Sequence, residues 1–180
     1  MNAKPRLDLR HLVIFAKLGT IQNLSKWVLE GIPNVELIST LTMVYTLVYR
    51  RQALIPIFLF ILLEGIYPAG FGLWWYPYLY LWPTLWAWTM LLPKRMPVKV
   101  QVPVYCLVCG FFGLAYGTLY APYQSLVFLG GDLKKTLAWI VAGFIPWDLI
   151  HAAGNVALGV LIVPLSGLLR KLEQGLDRPA

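Results

Sequence analysis

The sequence predicts an all-α integral membrane protein, a bundle of six transmembrane helices forming one membrane domain over residues 1–180. Three observations carry that prediction. Hydrophobic residues make up 59% of the chain and charged residues only 13%, against about 45–50% and about 25% in soluble proteins, and the mean hydropathy is +0.67. Apolar runs of helical length follow one another with Gly, Pro and Arg breaks between them, leaving no stretch for a soluble domain. Lys and Arg also collect in alternate connections, as cytoplasmic loops require. The excess of 15 Lys+Arg over 8 Asp+Glu is therefore read as topology rather than as a nucleic-acid surface.

A helix needs roughly 20 apolar residues to cross about 30 Å of hydrocarbon, fewer where neighbours shield its ends. On that basis the first span covers residues 9–30. It follows Arg6 and Arg10 like a signal peptide but has no Ala-x-Ala-like cleavage site, so it is expected to be a retained helix. The second and third, 35–49 and 53–66, are short, separated by Arg50-Arg51-Gln52, and read as tilted, thinly covered or half-buried. The connection Tyr67-Pro68-Ala69-Gly70 leads to the fourth span, 73–92. Leu92-Pro93-Lys94-Arg95-Met96-Pro97 then leads to the fifth, 98–120. Gly130-Gly131-Asp132 introduces residues 133–143, apolar with Lys134 and Lys135 at their start, which suit a short interfacial helix. The sixth span covers 146–169.

Cations fix the orientation. Lys4, Arg6 and Arg10 precede the first span; Arg50 and Arg51 lie in the second connection; Lys94, Arg95 and Lys99 lie in the fourth; Arg170, Lys171 and Arg178 form the tail. The first and third connections, at Gly31-Ile32-Pro33 and 67–70, contain none. Both termini are therefore expected in the cytoplasm. Cys106 and Cys109 sit in an apolar run with no second pair and no His beside them, and are read as packing residues.

Ionisable groups inside a span cost several kcal/mol and point to function. In the sixth span Asp148, His151 and Asn155 are three and seven residues apart, within about 60° of one another on a helix. Pro146 suits the first turn, and Asp148 there favours the positive end of the helix dipole. Either these residues touch a ligand, or they cap the helix and bond to its neighbours. The stretch 65–82 holds more aromatic rings than an interfacial belt needs, and Trp75, Tyr78 and Trp82 recur at helical spacing with Trp74 beside them, suiting a stacking wall. Gln22, Asn23, Ser25 and Lys26 make the outer half of the first span polar, and Glu64 ends the third span on the same side. Lys26 either snorkels outward or meets a ligand; Glu64 either answers Lys26, binds a ligand amine, or lies solvated. Every polar cluster falls in the outer half, whereas a channel or complete carrier needs a polar route through the inner half as well. Phosphate-loop, zinc-protease and serine-hydrolase motifs are missing, and no cofactor or metal is expected.

The stretch Gly143-Phe144-Ile145-Pro146-Trp147-Asp148-Leu149-Ile150-His151-Ala152-Ala153-Gly154-Asn155, preceded by Gly131-Asp132-Leu133 and ending near Val163-Pro164-Leu165, resembles the last-helix region of S components of energy-coupling factor (ECF) transporters. Asn34-Val35-Glu36-Leu37, Tyr45-Thr46-Leu47-Val48-Tyr49, Leu63-Glu64-Gly65 and Leu73-Trp74-Trp75 extend the resemblance to an uncharacterised bacterial branch of that group. The resemblance implies a non-enzymatic, multi-pass protein of the bacterial cell membrane that captures a vitamin-like micronutrient at the outer face. It would deliver that cargo with a transmembrane coupling subunit and two ATPases. The family's Ala-x-x-x-Ala coupling pattern on the first helix is degenerate here: Ala16, Gly19 and Thr20 are its nearest equivalents, interrupted by Lys17, and Ala153 and Ala157 offer a second small-residue surface. Asp148, His151, Asn155, Trp74, Trp75, Tyr78, Trp82, Lys26 and Glu64 are the expected cargo contacts. With no Arg in any outer half, a neutral or weakly basic heterocycle fits better than a carboxylate-rich cargo. The competing classes are an intramembrane metal-dependent or acid–base enzyme using Asp148 and His151, which needs Glu64 to join them, and a stand-alone secondary carrier.

Overall fold

The computed structural model describes residues 8–29, 31–32, 34–67 and 70–176, and among these the chain is helical with no strand. The helices are α1 (Leu9–Val28), α2 (Ile38–Tyr49), α3 (Leu54–Ile66), α4 (Tyr78–Leu91), α5 (Val98–Phe128), α6 (Leu133–Gly143), α7 (Ile150–Gly159) and α8 (Ile162–Leu176). Glu30, Pro33, Pro68 and Ala69, which figure in the expected span ends and connections, lie outside the described residues, as do the cations Lys4, Arg6 and Arg178.

Helix pairs fix the direction of each pass. Phe15 meets Tyr49, Tyr45 donates to the Leu18 carbonyl and Gln22 donates to the Ile38 carbonyl, so α1 and α2 run antiparallel. Asn23 and Lys26 reach Glu64 while Gly19 abuts Pro56, so α3 runs with α1. The chain thus reverses between α2 and α3, at Arg50, whose φ of 56° ends the helix, followed by a short 3-10 turn over Arg50–Ala53. Phe60 against Tyr78 and Trp82, with Trp86 donating to the Arg50 carbonyl, turns α4 back again. Trp88 on Phe111 and Tyr80 on the Leu119 carbonyl make α5 antiparallel to α4. Tyr49 and His11 both approach Glu173, so α8 ends where α1 begins.

Helix α2 occupies the centre. Every residue from Ile38 to Thr46 is buried, and its polar Ser39, Thr40, Thr42 and Thr46 are covered along with its apolar side chains. A helix covered on all sides needs no lipid-facing stripe, which explains why this segment reads as short and thinly covered in the sequence. Around it Phe60, Trp82, Leu85, Phe112 and Ile162 are fully buried. Large apolar side chains also point outward, among them Leu12, Phe58, Leu62, Leu107, Phe111 and Val141. Three helical stretches, Ile38–Ile66, Val98–Phe128 and Leu133–Gly159, are long and apolar enough to cross a membrane, the first of them folded back at Arg50.

Several expected boundaries are corrected. Helix α2 begins at Ile38 rather than residue 35, because Asn34 has a φ of 58° and breaks the run. Residues 73–77 form turns, and α4 starts only after Pro77. Helix α5 continues to Phe128, eight residues beyond the expected end at 120; at about 1.5 Å per residue it is about 46 Å long. Residues 133–143 form the short helix α6 with the expected bounds, but it runs on into α7 through a π-helical turn, Phe144–Leu149. Pro146 lies within that turn, where its missing N–H and its ring disturb the α ladder and favour a widened turn. The expected sixth span is in turn broken between Gly159 and Ile162. Pro164 lacks the N–H that would bond the Val160 carbonyl, so the two helices separate there.

Candidate functional site

Helices α5 and α7 approach so closely that two glycines are required. A Cβ at Gly113 would meet the Ala152 backbone N at 2.8 Å, and one at Gly117 would meet Asp148 Oδ2 at 2.5 Å. The close approach lets the Gly117 N–H donate to Asp148 Oδ1 at 3.0 Å, which anchors that carboxylate on the π-helical turn. One helical turn later, His151 is 5% exposed and stacks edge-on against Tyr116, ring centroids 5.0 Å apart. Its Nε2 lies 3.7 Å from Glu36 Oε1 and has no hydrogen-bond partner among the described residues.

Two adjoining chambers open from this point. The first, about 370 Å³, is bounded by Asp148, Gly117 and the rings of Tyr116, Tyr120, Trp139 and Trp147. The second, about 340 Å³, is bounded by Lys26, Glu36, Val35, Ile32 and Tyr78. Asn34, Tyr116 and His151 line both, so the chambers form one cleft. Tyr120 and Trp139 lie nearly parallel with centroids 6.0 Å apart and make a continuous aromatic wall. Asn34 Nδ2 is buried without a partner at the junction. Glu36 lies in the connection before α2, outside the helical spans. Burial pushes its carboxyl up to about 7, with Lys26 opposing the shift and Glu64 adding to it.

The expected site residues divide. Asp148, His151, Tyr78 and Lys26 line the cleft. Glu64 is fully buried rather than solvated, held by the Lys26 ammonium and by Asn23 Nδ2 at 2.8 Å. That ammonium lies 5.7 Å from the Tyr78 ring and 6.0 Å from Trp74, so Trp74 flanks the ion pair. The remaining three belong to the packing. Trp75 donates to the Ile61 carbonyl at 2.7 Å and lies against Gly65. Trp82 is wholly buried among Phe60, Tyr78, Phe112 and Tyr116. Asn155 donates to the Cys109 carbonyl at 3.0 Å between α7 and α5. The aromatic wall is supplied instead by Tyr116, Tyr120, Trp139 and Trp147. Spacing hints at part of it, since Tyr116 and Tyr120 are four residues apart on α5, but only the return of α6 along α5 brings Trp139 to them.

The small-residue surfaces also divide. Gly19 is consumed inside the molecule, its Cα facing the Pro56 carbonyl and Leu59 of α3, whereas Ala16, Thr20, Ala153 and Ala157 are exposed, as is Lys17. Cys106 and Cys109 are buried free thiols. Among the described residues no three His, Cys, Asp or Glu side chains converge as a metal site.

Fold and site together define an all-helical protein with membrane-spanning character and a polar, ring-lined cleft at one end of its bundle. In comparisons with known proteins, no family model, no curated protein and no solved structure matches the chain.

Proposed function

We propose that this protein is the substrate-binding S component of an ECF-type importer in a bacterial cell membrane. In this reading the six alternating passes cross the bilayer, both termini are cytoplasmic, and the cleft opens outward to capture a vitamin-like heterocycle. A coupling subunit and two ATPases then take up the loaded protein, docking on surfaces that include Ala16, Thr20, Ala153 and Ala157. The observation that carries this reading is a ring-lined polar cleft at one end of a bundle whose middle is sealed by Trp82, Phe112, Met43 and Ile57, all fully buried. A cleft with one mouth binds cargo but offers no through-route, which favours a partner-dependent importer over a self-sufficient carrier. Glu64 is committed to Lys26 and Asn23, so it does not join Asp148 and His151 as the competing enzyme reading requires.

The test is co-expression of the tagged protein with a coupling subunit and two ATPases from the same genome. We expect the four proteins to purify together and to import a micronutrient only in the presence of ATP. Uptake into vesicles by this protein alone would overturn the reading.

A further inference from the structure

The charges around the cleft are unequal. Three carboxylates, Glu36, Glu64 and Asp148, face one ammonium, Lys26. Glu64 takes the Lys26 ammonium directly, so Glu36 feels that charge only across the chamber and otherwise meets His151, at 3.7 Å and without a hydrogen bond, while Asp148 has no cationic partner among the described residues. The nearest lysines on α6 do not supply one: Lys135 turns to Asp132 at 3.8 Å and Lys134 is exposed. Asp148 has an N–H on Oδ1 alone, and its position on the π-helical turn directs it into the chamber walled by Tyr116, Tyr120, Trp139 and Trp147. A carboxylate beside several aromatic faces suits an organic cation, because ring quadrupoles and the formal charge attract it together. A second, independent observation marks the chamber as built for a ligand. His151 is about nineteen-twentieths buried, lines both chambers, and leaves its Nε2 unsatisfied, with Asn34 Nδ2 unsatisfied beside it. Buried polar atoms without a partner call for an explanation, and these two, unlike the others in the bundle such as Trp82 Nε1 and Asn155 Oδ1, belong to residues that line the cleft.

We propose that the cleft binds a flat heteroaromatic molecule with one cationic nitrogen, its charged ring held between Asp148 and the Tyr120–Trp139 wall. A polar arm of the same molecule extends past Tyr116 to His151, Asn34 and Glu36. The two chambers set the size: a single ring system in the first, a hydroxyl- or amine-bearing chain in the second. This rests on the importer reading above and shifts its cargo from the neutral or weakly basic heterocycle expected from the sequence to a cationic one.

The test uses three probes of similar shape, N-methylquinolinium, quinoline and quinoline-2-carboxylate, titrated at mildly alkaline pH against the detergent-purified full chain with tryptophan fluorescence as the readout. We expect saturable binding of the cation at least about tenfold tighter than of the neutral ring, and none of the anion. Asp148→Asn should weaken the cation about tenfold while leaving the neutral probe unchanged; the comparison of probes on the parent protein stands even if that variant does not fold. Equal or tighter binding of quinoline or its carboxylate would overturn the cationic inference while leaving the cleft as a cargo site. Binding of none of the three would overturn both.

Discussion

At the scale of single residues, Asp148 is held by a glycine rather than by an opposite charge. Gly117→Ala places a Cβ where Asp148 Oδ2 now lies, and overpacking of this kind costs about 1–3 kcal/mol. The expected outcome is a lower melting temperature together with loss of cargo binding, measured by thermal unfolding in detergent and by fluorescence titration. Asn155→Ala separates the two effects. It removes the extra hydrogen bond that ties α7 to the Cys109 carbonyl of α5, a loss of about 0.5–1.5 kcal/mol, yet binding by the folded fraction should be unchanged, because Asn155 does not line the cleft. Glu36 supplies a pH dependence. Its carboxyl, at about 7 in the folded protein and 4.5 ordinarily, keeps a proton that the unfolded chain gives up. The titratable groups around it are Lys26, Glu64, His151 and Tyr78. Stability should therefore fall as pH rises from 4.5 toward 7, and Glu36→Gln should flatten the melting curve across that window; a parallel pH profile in the variant would refute this. The sequence made Asp148 and His151 legible, because an acid and a His one turn apart inside an apolar run have few structural excuses. It did not distinguish Trp75 and Trp82 from Tyr120 and Trp139, since every one is an aromatic in an apolar helix and only the packing decides which faces space.

At the scale of elements, the π-helical turn Phe144–Leu149 is where sequence reading fell furthest short. Residues 133–143 have the length and charge of an interfacial helix, and Pro146 looks like the first residue of a new span. A proline inside a continuing helix leaves the same trace in sequence as a proline at a helix start. The turn joins α6 to α7 and carries Trp147 and Asp148 toward the chamber while His151 follows on α7. Pro146→Ala restores the N–H donor and relieves the ring clash, so the segment should relax toward regular α-helix and rotate Asp148 relative to His151. Cargo binding is then expected to weaken by at least about tenfold, roughly 1.4 kcal/mol, with thermal stability equal to or above that of the parent. Unaltered affinity would show that the widened turn does not position the site. Helix α1 illustrates the converse: its small residues were legible, but not their division between an inner contact at Gly19 and an outer face at Ala16 and Thr20, because a stripe of small side chains has no label for its partner. On the importer reading, Ala16→Trp should leave ligand binding intact and reduce recovery of the proposed coupling subunit in co-purification, whereas Gly19→Leu should unfold the α1–α3 contact.

At the scale of the whole molecule, charge and direction of passage agree. The contacts of Arg50 with the Met90 carbonyl and of Arg170 with the Leu47 carbonyl gather the ends of α2, α4 and α8, and His11 and Glu173 add the start of α1 to the same end. The sequence places Arg51, Lys94, Arg95, Lys99 and Lys171 in or beside these segments. The opposite end holds the cleft and a smaller set of cations, Lys26, Lys134 and Lys135. Cations resist translocation whereas acidic residues contribute little to orientation, so the Arg-rich end should remain in the cytoplasm and the cleft should face outward. Reporters fused after Arg51, Met96 and Ala180 are expected to be active only as cytoplasmic fusions, and one inserted at Gly70 only as an external one. The central α2 makes the prediction demanding, because a helix of 12 residues surrounded by protein spans about 18 Å and depends on its neighbours to complete the crossing. An external signal at Arg51 would mean that α2 and α3 enter and leave on one side, and the six-pass topology would fall; external signals at Arg51, Met96 and Ala180 together would invert the molecule and turn the cleft inward.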